Sequence, residues 1–442
     1  MKRITKRIAF LLASVFAFSV LMTGCADPNH SSVDNPDNNN TAAPVDDTLP
    51  PNDCRTGIYM PTGTDAAIPE GAADAAYIKG IDDFAAAVLN AMEQGWTGVL
   101  SPLSLQLSLE LLANSADAET ASGILSSLFH EPSIETVNLN AAKLLRSLKP
   151  TSSATTKNGG IKFNIANCII SGSNDSFKEA FENIAADYYG ASVGNLDFTD
   201  AESARNAING WISEQTNGHV NDLFDSIDPS TAMAILNTVY FNANWKNAFT
   251  AYKTPTTFHG LSGDTQVTML NNVNEYSYGN FDCGEMVLVP YSGGEYYMAV
   301  VLPTEGTAAR DAMVQLLGRW DECQNTVCDL TIPSVSLDSN INALKLISEI
   351  GLDDIASGDS VFPNLLNGSS VSLSQIRHGA HLNVTEAGTE ASAASGILGE
   401  KHPPVQMDAK VNLVCDRPYA MAIVHAKTGA VVFVSVVNDI DL

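Results

Sequence analysis

The chain has 442 residues, of which 45% are hydrophobic, so it can bury one large core or two ordinary ones. Its formal net charge is −27, and the sequence contains no cluster of Lys and Arg that could neutralise a nucleic-acid backbone. Composition therefore argues against a nucleic-acid partner and is typical of an exposed protein that is kept in solution by its charge.

The first residues have the pattern of an export signal. A basic start, MKRITKR, precedes an apolar run over residues 8–22 that is too short to span a bilayer comfortably. Small residues then stand directly before Cys25, which resembles a bacterial lipobox, in which the Cys sulfur is lipidated and its amine becomes the new N-terminus. We expect residues 1–24 to be a lipoprotein signal peptide. The mature protein would be bacterial and extracytoplasmic, anchored by lipid at the membrane or cell surface, or released from it. An ordinary signal peptide with an incidental Cys is the alternative.

The segment after Cys25 is rich in Asn, Asp, Pro, Ser and Thr and has no apolar period. Such a composition cannot bury enough apolar surface to fold. We expect residues 25–75 to be a disordered tether that leads to a folded domain over residues 76–442.

Six cysteines follow the lipobox, and an even number in an exported chain permits disulfides without specifying their pairing. Cys323 and Cys328 lack the second Cys or His pair that a structural zinc site requires. A local disulfide or two free thiols is expected there, and no metal.

Apolar periodicity predicts helices in the first half and strands in the second half. A buried stripe from Tyr77 to Met92 has helical spacing, and a second helix is predicted over 103–114. Later segments predict strands, and the two at 286–290 and 296–303 are joined by a glycine turn. Helices followed by strands indicate an α+β domain with large sheets.

Ordinary enzyme signatures are missing from the sequence. It has no GxSxG elbow, no HExxH, no phosphate-binding GxxxxGK[ST] and no GxGxxG. We therefore expect no catalytic residue, no cofactor and no metal.

One segment, EAGTEASAASGILGEKHPPVQMDA at 386–409, stands out because it is long, small-residue-rich and placed between predicted strands. Loops of that length inside a domain are usually functional or disordered. In a strand, alternate residues from Thr389 to Ile397 would form one small, nearly uncharged face, while Glu390 would point to water. The segment is thus compatible with two states, an exposed loop and an inserted strand. An alanine-rich surface linker is the plainer alternative.

From about Tyr77 to the C-terminus the chain resembles the serpin family. The resemblance rests on five stretches in the right order, which are SPLSLQLSLELLANSADAET, then YYGASVGNLDF with AINGWISEQTNGHVNDLF, then LNTVYFNANWKNAF, HGAHLNVTEAGTEASAAS and DRPY. It implies a serpin fold of three β-sheets with about nine helices and an exposed reactive loop near the C-terminus. It also implies that a cut loop inserts into the central sheet as a further strand.

The resemblance assigns roles to particular residues. The reactive-loop hinge would comprise Glu386, Gly388, Thr389, Glu390, Ala391, Ala393, Ala394 and Ser395. The cluster that controls sheet opening would comprise Ser101, Ser104, Asn237 and His378, with Trp245 near the point where insertion starts. Departures from the family pattern are mild: Ala387 stands where a Glu is common, and Ser392 and Ser395 remain small.

The scissile bond is left open by the sequence. Family spacing from the hinge favours Lys401–His402, because a cut after His402 would have proline on its far side. Counting back from the DRPY stretch instead indicates Met407–Asp408, and alignment of the two prolines indicates Glu400.

The resemblance implies an irreversible suicide-substrate inhibitor of serine or cysteine endopeptidases. Its partners would be the target protease, held in a covalent acyl complex, and the membrane, through the lipid anchor. The inhibitor would act as a monomer. The first alternative is a non-inhibitory serpin that binds or carries a ligand. A surface hydrolase or adhesin is the second alternative, but it lacks a supporting motif.

Overall fold

The structure, a computed structural model, describes residues 57–130, 133–151, 160–220, 223–389 and 408–440. The predicted signal peptide, the lipidation site Cys25 and most of the predicted tether lie outside the described residues. Within these ranges, no helix combines the length and the apolar character needed to cross a membrane.

Nine α-helices and three β-sheets are formed by the described residues, which confirms the expected α+β serpin architecture. The helices are α1 (Ala75–Ala91), α2 (Pro102–Ala113), α3 (Ala118–Ser127), α4 (Ile134–Leu148), α5 (Glu179–Ile184), α6 (Ala201–Gln215), α7 (Ala309–Leu316), α8 (Leu344–Glu349) and α9 (Asp353–Ala356). A turn of π-helix, Ala185–Tyr189, continues α5, and a 3₁₀ turn covers Trp320–Glu322.

The strands of the first half are β1 (Gly57–Tyr59), β2 (Gly98–Leu100), β3 (Lys162–Ser171), β4 (Ser192–Asn195), β5 (Met233–Asn244), β6 (Thr250–Ala251), β7 (Thr256–His259), β8 (Asp264–Val267) and β9 (Met269–Phe281). Those of the second half are β10 (Gly284–Pro290), β11 (Tyr296–Pro303), β12 (Gln324–Pro333), β13 (Val335–Asn342), β14 (Gln375–Val384), β15 (Gly388–Thr389), β16 (Val411–Val414), β17 (Tyr419–His425) and β18 (Val431–Val437).

The sheets contain seven, nine and two strands. The seven-stranded sheet, here called the central sheet, has the order β1-β4-β3-β5-β15-β14-β13. The nine-stranded sheet runs β16-β12-β9-β10-β11-β17-β18-β2, with β6 paired to β9, and β7 with β8 forms the third sheet. Strands β17 and β18 are buried along their whole length, as their continuous apolar sequence predicts.

Helix α2 lies at the centre of the core, where every one of its residues is buried. Its start is fixed by Pro102 in the first turn and by Ser101, whose hydroxyl accepts a hydrogen bond from the Ser104 backbone N–H. The main apolar cluster joins α1 and α2 to both large sheets, and a second cluster lies between α6 and the opposite face of the central sheet. The central sheet is therefore covered on both faces.

The folded domain begins earlier than the predicted boundary at residue 76. Strand β1 pairs antiparallel with β4 at the edge of the central sheet, and the Tyr59 hydroxyl donates to the Glu182 carboxylate over 2.7 Å. The Thr64 hydroxyl donates to Asp187 over 2.6 Å. The tether prediction is thus wrong for this part, because a short strand can be held by a sheet edge without an apolar period of its own.

The described cysteines, at positions 168, 283, 323, 328 and 415, are free thiols. The expected alternative of a local disulfide between Cys323 and Cys328 is therefore wrong. No group of three potential metal ligands occurs among the residues that the structure describes.

Candidate functional site

The candidate site is the seam between β5 and β14 in the central sheet. These two strands run parallel, and the residues from Ala234 to Val239 pair with those from Gln375 to Ala380. Beyond Ala380 the strands diverge, and β15 occupies the space between them. The seam is consequently closed along one part and opened by an additional short strand along the other.

Strand β15 is formed by the predicted hinge of the reactive loop. The chain leaves β14, turns at Glu386 and Ala387, and returns so that Thr389 pairs with Val384. The Thr385 backbone N–H donates to the Gly388 carbonyl over 2.9 Å, which closes this two-residue turn. The hinge is thus the second strand of a hairpin that begins in the sheet.

Gly388 is required by the close approach of β5. A Cβ atom at this position would lie 2.1 Å from the Ala243 carbonyl oxygen and 2.7 Å from the Asn244 Cα. Both are backbone atoms that cannot move aside, so any side chain here would push β15 away from β5.

Thr389 is completely buried, and its hydroxyl is 2.6 Å from the hydroxyl of Tyr291. Tyr291 is also fully buried and stacks on Trp245 with ring centroids 4.5 Å apart. Burial raises the pKa of Tyr291 far above its usual value, so the phenol stays protonated. A small polar side chain can be buried among these aromatic rings because its single hydroxyl group has a hydrogen-bond partner.

Trp245 and Glu386 hold the turn of the hinge in place through hydrogen bonds. The Trp245 indole N–H donates to the Thr385 carbonyl, and its backbone N–H donates to the Ala387 carbonyl, both over 2.9 Å. The exposed Glu386 carboxylate accepts from the Ala251 backbone N–H over 3.1 Å. Trp245 therefore lies beside the turn that leads into β15.

The polar cluster lies at the closed part of the seam, where β14 and β5 face the start of α2. The His378 Nδ1–H donates across the seam to Asn237 Oδ1, and His378 Nε2 accepts from the Ser101 backbone N–H over 3.0 Å. The Asn237 amide donates to Ser104 Oγ and to Asn167 Oδ1, each over 2.6 Å. The structure thus brings together the four residues that the resemblance groups.

His378 is held in the neutral form. Burial lowers the pKa of His378 to about 4, and the acceptor role of Nε2 toward a backbone N–H agrees with an uncharged ring. Protonation at Nε2 would place a second donor against the Ser101 N–H, so acid would break this contact.

Sequence reasoning missed Asn167 and Tyr291. Asn167 lies on β3 between Ile165 and Ile169, and a polar residue on the apolar face of a strand was the signal that could have found it. Tyr291 follows β10 directly and carries no comparable signal. Its role arises only from its contacts with Thr389 and Trp245.

The rest of the predicted loop lies outside the described residues. This applies to the hinge residues from Glu390 onward and to the scissile-bond candidates Lys401, His402 and Met407. The chain is described again from Asp408, which is exposed and precedes β16 at the edge of the nine-stranded sheet. The loop therefore leaves from the central sheet and returns to the other large sheet.

The three sheets, the helices and the hinge strand within the central sheet define one class of fold, and comparison with known proteins identifies the family. The profile of the Serpin (serine protease inhibitor) family matches residues 79–440. The chain belongs to the serpin family.

Among individual relatives, neuroserpin of Homo sapiens is 26% identical over 76% of this chain and 84% of its own length. Antitrypsin of Bombyx mori is 25% identical over 78% of this chain and 90% of its own length.

Solved structures show the same fold. The native state of the thermophilic serpin tengpin matches with a TM-score of 0.75 and 23% identity, covering 84% of this chain and 96% of that one. Thyroxine-binding globulin in complex with thyroxine matches with a TM-score of 0.71 and 22% identity, covering 83% of this chain and 99% of that one.

Proposed function

We propose that this serpin is an irreversible suicide-substrate inhibitor of serine or cysteine endopeptidases. The observation that carries the proposal is the position of the hinge, because Gly388 and Thr389 already form the start of a strand between β5 and β14. The residues that would follow on the same face, Ala391, Ala393 and Ser395, are small enough to continue that strand without overpacking. Relatives named antitrypsin and antichymotrypsin-2 support the same function.

The chemistry begins at one peptide bond of the segment between Glu390 and Asp408. The nucleophilic oxygen or sulfur of the protease attacks the carbonyl carbon, the C–N bond breaks, and the amine of the downstream residue leaves with a proton. The upstream part of the loop is then joined to the protease as an acyl-enzyme. In this mechanism the inhibitor supplies no catalytic residue.

The cut would release the hinge from its connection to β16, so the loop residues after Thr389 could pair along the seam between β5 and β14. Each further residue pair adds ladder hydrogen bonds to β5 and β14 and buries a small side chain. The protease is carried along the sheet with its ester or thioester bond to the loop intact, and inhibition results if insertion is faster than hydrolysis of that bond by water.

The polar cluster would control how readily the seam opens. The bond between His378 and Asn237 joins β14 directly to β5, so an entering strand has to break it. Ser104 and Asn167 hold Asn237 in place through its amide group. Breaking the contact leaves buried polar groups without partners until the new strand supplies them, which slows opening in the intact protein.

The location of the protein also belongs to the proposal. A lipid on Cys25 would hold the mature chain at a bacterial membrane or cell surface, where it would meet extracytoplasmic proteases. The basic start, short apolar run and small residues before Cys25 support this placement.

The alternative is a serpin that binds or carries a ligand without inhibiting a protease. The structural likeness to thyroxine-binding globulin with thyroxine shows that a protein of this fold can hold a small molecule. The small residues of the hinge favour the inhibitor, since a carrier does not need an insertable loop.

Incubation with trypsin-like, elastase-like and subtilisin-like proteases separates the two functions. An inhibitor is expected to give a covalent complex that survives SDS, and mass spectrometry of the released C-terminal peptide then identifies the scissile bond. Proteolysis of the loop without any complex, across all three protease classes, would favour the carrier.

A further inference from the structure

A cavity of about 380 Å³ lies between α4, β3 and the turn of π-helix that follows α5. Residues 57–74, here called the arm, close one side of this cavity through Ile68. Cavities of this size bury most of the surface of a small molecule. The cavity is separate from the seam, because none of the described residues that line it belongs to β5, β14 or β15.

The walls of the cavity are mainly apolar. Leu145 of α4, Phe163 and Ile165 of β3 and Tyr188 of the π-helical turn line it, and each of these four residues is only half-buried. Water in contact with concave apolar walls is unfavourable, so an apolar ligand would be stabilised there. Turns of π-helix also occur frequently at functional sites.

Two cations lie at the mouth of the cavity. Arg146 and Lys149, at the end of α4, line the cavity and are both exposed to solvent. The Arg146 guanidinium is 3.4 Å from the Ile68 carbonyl oxygen, which is long for a hydrogen bond, and no described residue accepts from the Lys149 ammonium. Both cations can therefore bind an anion without losing a strong partner.

Asp187 is the one carboxylate among the described residues that line the cavity, and it is bound by the arm. It accepts from the Thr64 backbone N–H over 3.1 Å and from the Thr64 hydroxyl over 2.6 Å. Gly63 permits this contact, because a Cβ atom at that position would lie 2.0 Å from Asp187 Oδ1. The mouth of the cavity thus keeps an excess of positive charge in a chain whose net charge is −27.

We propose that the cavity binds a medium-chain fatty acid, with its carboxylate between Arg146 and Lys149 and its alkyl chain among Leu145, Phe163 and Ile165. A ligand with one anionic end and an apolar body matches a cationic mouth and apolar walls. A guanidinium can hold a carboxylate through two parallel N–H donors, and an ammonium adds a second positive charge. This ligand site goes beyond the proposed inhibitor function and does not depend on it.

The neighbouring segment of the chain has the wrong chemistry to occupy the cavity. Residues 152–159, between α4 and β3, lie outside the described residues and have the sequence SSATTKNG. This segment contains no acid and no large apolar side chain, and its one charge, on Lys157, would be repelled by Arg146 and Lys149. A separate anionic ligand is therefore the better match.

Isothermal titration calorimetry of the full chain in detergent-free buffer tests the site, with sodium decanoate as the probe. Decanol, which has the same alkyl chain without a charge, is the comparison ligand. We expect decanoate to saturate a single site and to bind at least about fivefold more tightly than decanol, on the scale of exposed ion pairs. Equal affinity for the two ligands, or no saturable binding of decanoate, would overturn the proposal.

Two variants separate the contribution of the mouth from that of the walls. Arg146→Gln combined with Lys149→Gln should weaken decanoate binding about fivefold or more and leave decanol binding within about twofold. Ala142→Phe places a ring in the cavity and should abolish binding of both ligands. If circular dichroism shows that Ala142→Phe is not folded, Ala142→Leu replaces it, with a loss of at least about fivefold for both ligands. Unchanged binding in the folded filling variant would contradict the site.

The matched control is Lys79→Gln combined with Lys345→Gln, which removes two exposed cations that do not line the cavity. This control changes the net charge by the same amount as the double variant at the mouth, and it should bind decanoate as the wild type does. An equal loss of affinity in the control would show that long-range charge attracts the ligand, and it would overturn the assignment of Arg146 and Lys149.

A parallel assay for the SDS-resistant protease complex keeps the two proposals separate. Saturable decanoate binding without any covalent complex supports the fatty-acid site and contradicts the inhibitor function. A covalent complex without decanoate binding supports the inhibitor function and contradicts the fatty-acid site.

Discussion

The hydroxyl of Thr389 lies 2.6 Å from the hydroxyl of Tyr291, so the first inward side chain of the hinge is already docked in the intact protein. Both residues are fully buried, and the Trp245 ring stacks on the far side of Tyr291. Insertion of the loop, as proposed, would extend a strand whose first two residues already pair with β5 and β14.

Thr389→Arg is expected to turn the inhibitor into a substrate. The variant would place an unpaired guanidinium between Tyr291 and β5, so the hinge should leave the sheet and insertion should start more slowly. Acylation occurs at a distant bond and should hardly change, so water would hydrolyse the ester first. The yield of SDS-resistant complex is expected to fall at least about tenfold, while the rate of loop cleavage is unchanged.

The control for this variant is Ser392→Arg, because the alternation of a strand places residue 392 on the opposite face, where its charge could remain hydrated. A Thr389→Arg protein that keeps the full complex yield, or a control that loses it equally, would contradict the role of Thr389.

Cleavage of the loop near Lys401 should raise the thermal stability of the protein. Insertion of the cut loop would add ladder hydrogen bonds and buried surface to the seam. A gain of several kcal/mol in the free energy of unfolding corresponds to a rise in Tm of about 10 °C or more for a domain of this size. Differential scanning calorimetry of intact and cut protein at one scan rate measures the difference. Equal melting temperatures would mean that the cut loop does not insert into the central sheet.

Acid should weaken the seam through His378. Its pKa is lowered to about 4 in the fold, against 6.5 for an ordinary histidine, so the unfolded chain binds the proton first as the pH falls. The contribution of neutral His378 to the free energy of unfolding is complete above about pH 6.5 and is lost progressively toward pH 4. The full contribution is about 3 kcal/mol.

The measurement is urea unfolding of wild type and His378→Asn between pH 7 and pH 4.5. The difference in the free energy of unfolding between the wild type and His378→Asn should narrow as the pH falls, because the asparagine side chain does not bind a proton in this pH range. Burial likewise lowers the pKa of His425 to about 4, but this residue is present in both proteins and its effect cancels. A gap that is constant over this range would show that His378 does not supply the pH dependence.

Cys25→Ala should release the mature protein from membranes into the soluble fraction, since the lipobox pattern requires the Cys sulfur as the acylation site. Fractionation followed by immunoblotting detects the change. Cys54→Ala, which removes a cysteine outside the pattern, serves as the control and should stay with the membranes. Persistence of the Cys25→Ala protein in the membrane fraction would contradict lipidation at this position.

Local sequence patterns were sufficient to locate several helices and strands of this protein. Helical spacing located α1 and α2, and the glycine turn located the β10–β11 hairpin. A resemblance in five ordered stretches gave the family and grouped Ser101 with His378, although 277 positions separate these residues. Each of these inferences rests on residues that are close in sequence or on a pattern shared with relatives.

Other features depended on contacts between distant segments. The β1 strand has too few residues to show a period, and it exists because the edge of β4 offers unpaired backbone groups.

The segment from Glu386 onward is compatible with both a loop and a strand, which follows from its small alternating side chains without any knowledge of the fold. That Gly388 and Thr389 lie between β5 and β14 became visible from the three-dimensional structure alone. Tyr291, Trp245 and the close backbone of β5 provide a binding surface for Gly388 and Thr389, and that surface is assembled by folding. Local preference permits both states, so contacts with residues distant in the sequence determine which one Gly388 and Thr389 adopt.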